Sequence, residues 1–164
     1  ILIHFWQGAV VFKFTNVVCE SFNKSWIIIN YCRLRALNRN KTVLNLNITV
    51  LHPCSNIWVD IQIFKRANGY KPWLVNTSLD VCKFHQKPYN PWAILIYKQV
   101  KNFTNINHTC PYVGDQIVKG FYLRPEILRL PFPSGDYLLA LTWIVDNKSL
   151  FITNEYFTFT EDLI

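Results

Sequence analysis

The sequence contains no methionine, only five glycines and only ten acidic residues among 164. Without methionine the initiator is missing, as expected of a mature chain or a fragment. So few glycines exclude a collagen-like or low-complexity polymer. Ten scattered carboxylates offer no acid/base pair in the sequence, although two could meet in a fold. There is no glycine-rich phosphate loop, and Ser134-Gly135-Asp136 lacks a nucleophile elbow and reads as a turn. No stretch is long and apolar enough for a transmembrane helix. The uncharged start, ILIHFWQGAVVF, is too short to span a bilayer. Residues 1–9 are therefore expected to be a signal-peptide remnant or N-terminal extension, and residues 10–164 one domain.

What the chain does hold is apolar and aromatic. Hydrophobic residues make up 51%, and six Trp, eight Tyr and twelve Phe exceed what a small core usually needs. The surplus suits either a ligand cavity or a large aromatic core. Seven N-x-S/T sequons stand at Asn23, Asn40, Asn47, Asn76, Asn102, Asn107 and Asn147, each with a non-proline middle residue. Five cysteines in a chain so rich in glycan acceptors read as a disulfide framework, and the expected location is secreted and extracellular.

The net charge is +7. Between Glu20 and Asp60 lie Lys24, Arg33, Arg35, Arg39 and Lys41 and no acid. Arg33 and Arg35 share one face of a strand with Leu34 opposite. An exported protein rarely meets nucleic acid, so an anionic head group or sulfated glycan is the expected partner of that pair. A solvated face that keeps the protein soluble is the plainer reading.

Strand periodicity dominates. Val10–Cys19 alternates until Val17-Val18, where lost phase suggests a bulge. Trp26–Leu37 returns after a turn, putting Cys19 and Cys32 on neighbouring strands. Thr42–Leu51 alternates cleanly before His52-Pro53-Cys54 breaks it, and Ile57–Phe64 alternates again. Asn68-Gly69 is a hairpin turn signal. Trp73 to Phe84 is then a strand-like apolar run carrying Cys82. Asn90-Pro91 opens a short helix over about 91–103, with Asn as cap and Pro in the first turn. That helix is apolar nearly all round, so it is expected to be covered or to face something apolar. Gln116–Leu123, Tyr137–Val145 and Phe151–Thr160 complete an all-β, two-sheet antiparallel sandwich of seven or eight strands.

Cys82-x-x-His85 with His108-x-Cys110 is the strongest metal candidate, since two Cys and two His can hold zinc. An oxidising compartment favours a Cys82–Cys110 bridge instead, tying the helix to the sandwich. Closing that loop contributes about 3–4 kcal/mol in the chain-entropy model. Cys54 is then the odd cysteine, a buried thiol or a link between chains. His4 and His52 are isolated. No catalytic residue, metal or cofactor is expected, and the enzyme reading is set aside.

The segments FTNVVCES (14–21), YCRLRALNR (31–39), NGYKPWLVNTSLDVCKF (68–84), NINHTCP (105–111) and LPFPSGDYLLAL (130–141) carry a resemblance. Together they resemble the insect family of secreted domains that includes the chemosensory-B proteins, formerly catalogued only as a domain of unknown function. That family is grouped with the ganglioside-activator-like lipid-recognition superfamily. The resemblance implies a β-sandwich whose sheets part to admit a lipid or other long apolar molecule, in an insect extracellular setting that includes chemosensation. Cys19, Cys32, Cys82 and Cys110 fall where that family's cysteines recur, and Cys54 departs from it. The family carries no agreed ligand residues. The lining expected from this chain is Trp73, Phe84, Trp92, Leu95, Ile96, Tyr137, Leu139, Leu141, Trp143 and Phe157. Two functions follow: a non-enzymatic carrier with the helix at its cavity mouth, or an extracellular interaction module with a filled core. An apolar void of several hundred Å³ separates them.

Overall fold

A computed structural model describes residues 9–162 except 129 and 131. The expected N-terminal remnant, apart from Ala9, lies outside the described residues. Eight strands form two antiparallel sheets: β1 (Ala9–Ser21), β2 (Ile27–Asn38), β3 (Lys41–Cys54), β4 (Ile57–Arg66), β5 (Tyr70–Asp80), β6 (Tyr112–Phe121), β7 (Gly135–Val145) and β8 (Lys148–Asp162). Their order is β1-β8-β7-β4-β5 in the wide sheet and β2-β3-β6 in the narrow one. The expected all-β sandwich is the observed architecture.

Alternation decides which side chains face inward. Leu44, Leu46, Ile48 and Val50 of β3 and Val59, Ile61 and Ile63 of β4 are all buried. The opposite face of β3 is polar, where Asn30 donates to Asn47 and Thr49, and Thr49 donates to Asp115. In β1 the phase changes at Thr15, a little earlier than the sequence suggests, because the register slips between Phe14 and Asn16. That extra residue turns Val17 and Cys19 to the side already held by Phe12 and Phe14.

Three local expectations are corrected. His52-Pro53 does not end β3: the ladder skips from Val50 to Cys54, which still pairs with Tyr112. Proline removes a donor, yet an irregular stretch of strand tolerates it. The hairpin after β4 has three loop residues, 67–69, with Gly69 at φ +83°. The strand-like run to Phe84 stops at Asp80, whose carboxylate accepts from the Lys83 amide at 3.1 Å and caps helix α1 (Val81–Gln86). Cys82 and Phe84 therefore sit on a helical turn. The anticipated helix is α2 (Pro91–Val100), followed by a 3₁₀ turn over Lys101–Phe103. The Asn90 side chain caps it, accepting from the amides of Trp92 and Ala93.

The two bridges are Cys19–Cys32 and Cys82–Cys110. β1 and β2, although consecutive, belong to different sheets. Cys19–Cys32 therefore joins two edge strands across the sandwich and closes one of its sides. Cys54 is buried, its thiol directed to the His52 carbonyl at 3.3 Å. Burial pushes that thiol up, with Asp146 adding to the shift, as suits a buried thiol.

A cavity strapped by a helix

The wide sheet has five strands and the narrow one three, so part of the wide sheet's inner face has no strand opposite it. The segment between β5 and β6 covers it. Asn90 Nδ2 donates to Thr77 Oγ1 on β5 at 3.1 Å, holding the start of α2 to the wide sheet. Thr104 bridges to Val118 and donates to the Ile117 carbonyl at 2.7 Å, holding the far end to the narrow sheet. Gln99 clasps the backbone of Arg124, donating to its carbonyl at 2.8 Å and accepting from its amide at 2.9 Å. Helix α2 is thus a strap from one sheet edge to the other, and Cys82–Cys110 closes the loop that contains it.

Beneath the strap is a cavity of about 300 Å³. Its floor is read in β7: Tyr137 and Val145 at the strand ends are buried, while the inward Leu139, Leu141 and Trp143 between them are half-exposed. Side chains that face the interior yet remain accessible have empty space before them. Across from them stand Trp92, Leu95 and Ile96 of α2, and the narrow sheet adds Leu46, Ile48, Val118 and Phe121.

Of the residues expected to line the site, Phe84, Trp92, Leu95, Ile96, Leu139, Leu141, Trp143 and Phe157 are brought together around this space. Trp73 and Tyr137 stand outside the lining. Trp73 packs edge-on against Tyr137 and Phe132, and those two rings are tilted against each other, all at 5.1–5.3 Å between centroids. The three form an aromatic plug at one end. The Tyr137 hydroxyl donates to the Pro133 carbonyl at 2.6 Å, and burial pushes its phenol up to about 12.

Polar lining groups are few, and most are already committed. Tyr97 donates to the Ile106 carbonyl, Tyr112 to that of His108, and Thr153 accepts from the Trp143 indole. His85 is half-exposed on α1; burial holds its imidazole below the ordinary range, and His108 adds to that. Glu155 is different. It is 7% exposed on the inner face of β8, and its Oε2 is buried without a hydrogen-bond partner among the described residues. Burial pushes the carboxyl up to about 8, against a smaller opposing pull from the Thr153 hydroxyl and its own backbone amide. Sequence reasoning passed over it, although it shares the phase of Phe157 and Phe159 in a strand read as alternating.

Both cysteines of the zinc candidate are spent in the disulfide. No group of three or more side chains able to hold a metal occurs among the described residues. Asn40, Asn76, Asn102, Asn107 and Asn147 are exposed, while Asn23 and Asn47 are half-buried with their carbonyl oxygens in hydrogen bonds. Arg33 and Arg35 are exposed on the edge strand β2. The ion pair found among the described residues is Arg66–Asp136, at 3.9 Å.

Fold and lining define the class: a disulfide-bonded two-sheet β protein with an apolar interior cavity under a helical strap. Residues 59–139, from β4 through the strap into β7, match the model of a family described as a protein of unknown function (DUF1091). No curated protein matches the chain. No helix among the described residues is long and apolar enough to cross a membrane.

Proposed function

We propose that this protein is a secreted, non-enzymatic carrier of a lipid or other small hydrophobic ligand held between its sheets. The observation that carries the reading is the cavity of about 300 Å³, lined almost wholly by apolar side chains. Ligand sites occupy about 300–1,000 Å³, and this space lies at the small end. At the ~30 Å³ that a water-sized group occupies, it admits a chain of roughly ten carbons. Burying ten methylenes yields about 8 kcal/mol. Association consumes about 4 kcal/mol or more of that, so hydrocarbon contacts alone bind weakly.

Secretion is supported by two disulfides and by the exposure of most sequons. The likeness to the chemosensory-B proteins and to the ganglioside-activator-like superfamily supports an insect extracellular role in presenting or clearing apolar cues. Arg33 and Arg35, exposed on one edge, suit an anionic head group or sulfated glycan at a surface the carrier visits. The alternative, an interaction module, calls for a filled core, and the space beneath α2 counts against it. The test is mass spectrometry of lipid extracts from the natively secreted protein, together with displacement of an apolar fluorophore. A copurifying apolar molecule or a saturable fluorescence response supports the carrier. Neither one, from folded protein, would point to the module.

A further inference from the structure

We infer that Glu155 is the polar anchor of this cavity, and that its occupant is a hydrocarbon chain bearing one uncharged oxygen acceptor, such as a ketone, aldehyde or ester. The inference rests on the carrier reading above. Its geometry is specific. Glu155 lines the cavity, is more than nine-tenths buried, and keeps one buried oxygen without a partner, while the neighbouring polar groups of the lining, Tyr97, Tyr112 and Thr153, are already hydrogen-bonded. A buried polar atom left unpaired is costly, and folds keep few of them. A partner supplied by the ligand resolves the cost.

The chemistry of that partner follows from the surroundings. Val17 of β1 and Leu139 of β7 flank Glu155 in register, and no charged group perturbs its carboxyl. In so apolar a setting the acid is protonated at neutral pH and presents an O–H. An O–H donor suits a neutral acceptor oxygen. A fatty carboxylate would set two acids against each other. An amine would require a buried ion pair, and taking both charges out of water costs several kcal/mol per ion before their attraction offsets it. Position orients the ligand as well. Glu155 lies on β8 beside β1, the side closed by Cys19–Cys32, so a ligand oxygen held there leaves its chain to run toward Leu95 and Ile96 under α2.

The experiment compares n-decane, 2-decanone, decanoate and decylamine as competitors of a naphthylamine fluorophore. They are tested on the full secreted chain and on its Glu155→Leu and Glu155→Gln variants, each checked for folding by its melting curve. Glu155→Leu is expected to weaken 2-decanone about tenfold, the value of one good hydrogen bond, while leaving n-decane within about twofold. Glu155→Gln keeps an N–H donor and is expected to hold the ketone within about threefold of wild type. Infrared difference spectra of the wild type supply a readout that needs no variant: the protonated carboxyl band should shift when 2-decanone enters. Equal responses of ketone and alkane to Glu155→Leu, with an unmoved band, would overturn the anchor and leave the carrier standing. A larger loss for decylamine or decanoate would overturn it in favour of an ionic ligand. If none of the four displaces the fluorophore from the wild type, the carrier reading falls and the anchor with it.

Discussion

Replacing Glu155 with glutamine should flatten the protein's dependence on pH. In the folded chain burial holds this carboxyl near 8, whereas in the unfolded chain it returns to its ordinary value of 4.5. Below 4.5 both states carry the proton and folding bears no penalty. Above it the unfolded chain ionises while the folded one keeps its proton, so stability drains away at about 1.4 kcal/mol per pH unit until pH 8. Between pH 5 and pH 8 the wild type should therefore lose roughly 3–4 kcal/mol relative to Glu155→Gln, which has no proton to hold. For a chain of this length that corresponds to a relative fall in Tm of about 10 °C. Denaturant and thermal melts of both proteins at unit steps from pH 4 to pH 9 measure the difference curve directly, and the other titrating groups cancel. A difference that stays flat within about 0.5 kcal/mol would refute the reasoning, because it would mean that water reaches the carboxyl and that it ionises normally.

Other consequences follow from the strap and the plug. Changing Cys82 and Cys110 to serine together releases a loop of sequence separation 28, which should cost about 3–4 kcal/mol in denaturant midpoint analysis and expose the α2 segment to protease. Asn90→Ala removes the α2 cap and should cost about 1 kcal/mol by the same assay. Tyr137→Phe loses the bond to the Pro133 carbonyl for about 1 kcal/mol while leaving ligand displacement intact, since the residue stands outside the lining. Leu141→Trp fills the cavity and should abolish fluorophore binding in a chain that still melts cooperatively; unchanged binding would place the ligand elsewhere.

Much of the fold was legible because strands advertise themselves. Leu44, Leu46, Ile48 and Val50 alternate with polar residues because one face of β3 meets the core and the other meets water, and that period survives in the sequence. Asn90-Pro91 marked the start of α2 for an equally local reason: a side-chain acceptor and a preset φ serve the first turn whatever lies nearby. The end of β5 was harder. Asp80 caps a helix, but its signal sits inside an apolar run that reads equally well as strand. Leu74 shows the same limit: it is 74% exposed at φ +55°, in a bulge of β5 that no alternation announces.

The sequence by itself determined the strand faces, the helix cap and the oxidising chemistry of the cysteines, because each depends on neighbours a few residues away or on composition. Only the tertiary structure decided that β1 and β2 part company into separate sheets, that one sheet outgrows the other, and that α2 bridges the difference. Those facts depend on which edges find each other across the chain. They alone leave the space beneath the helix and turn Glu155 toward it.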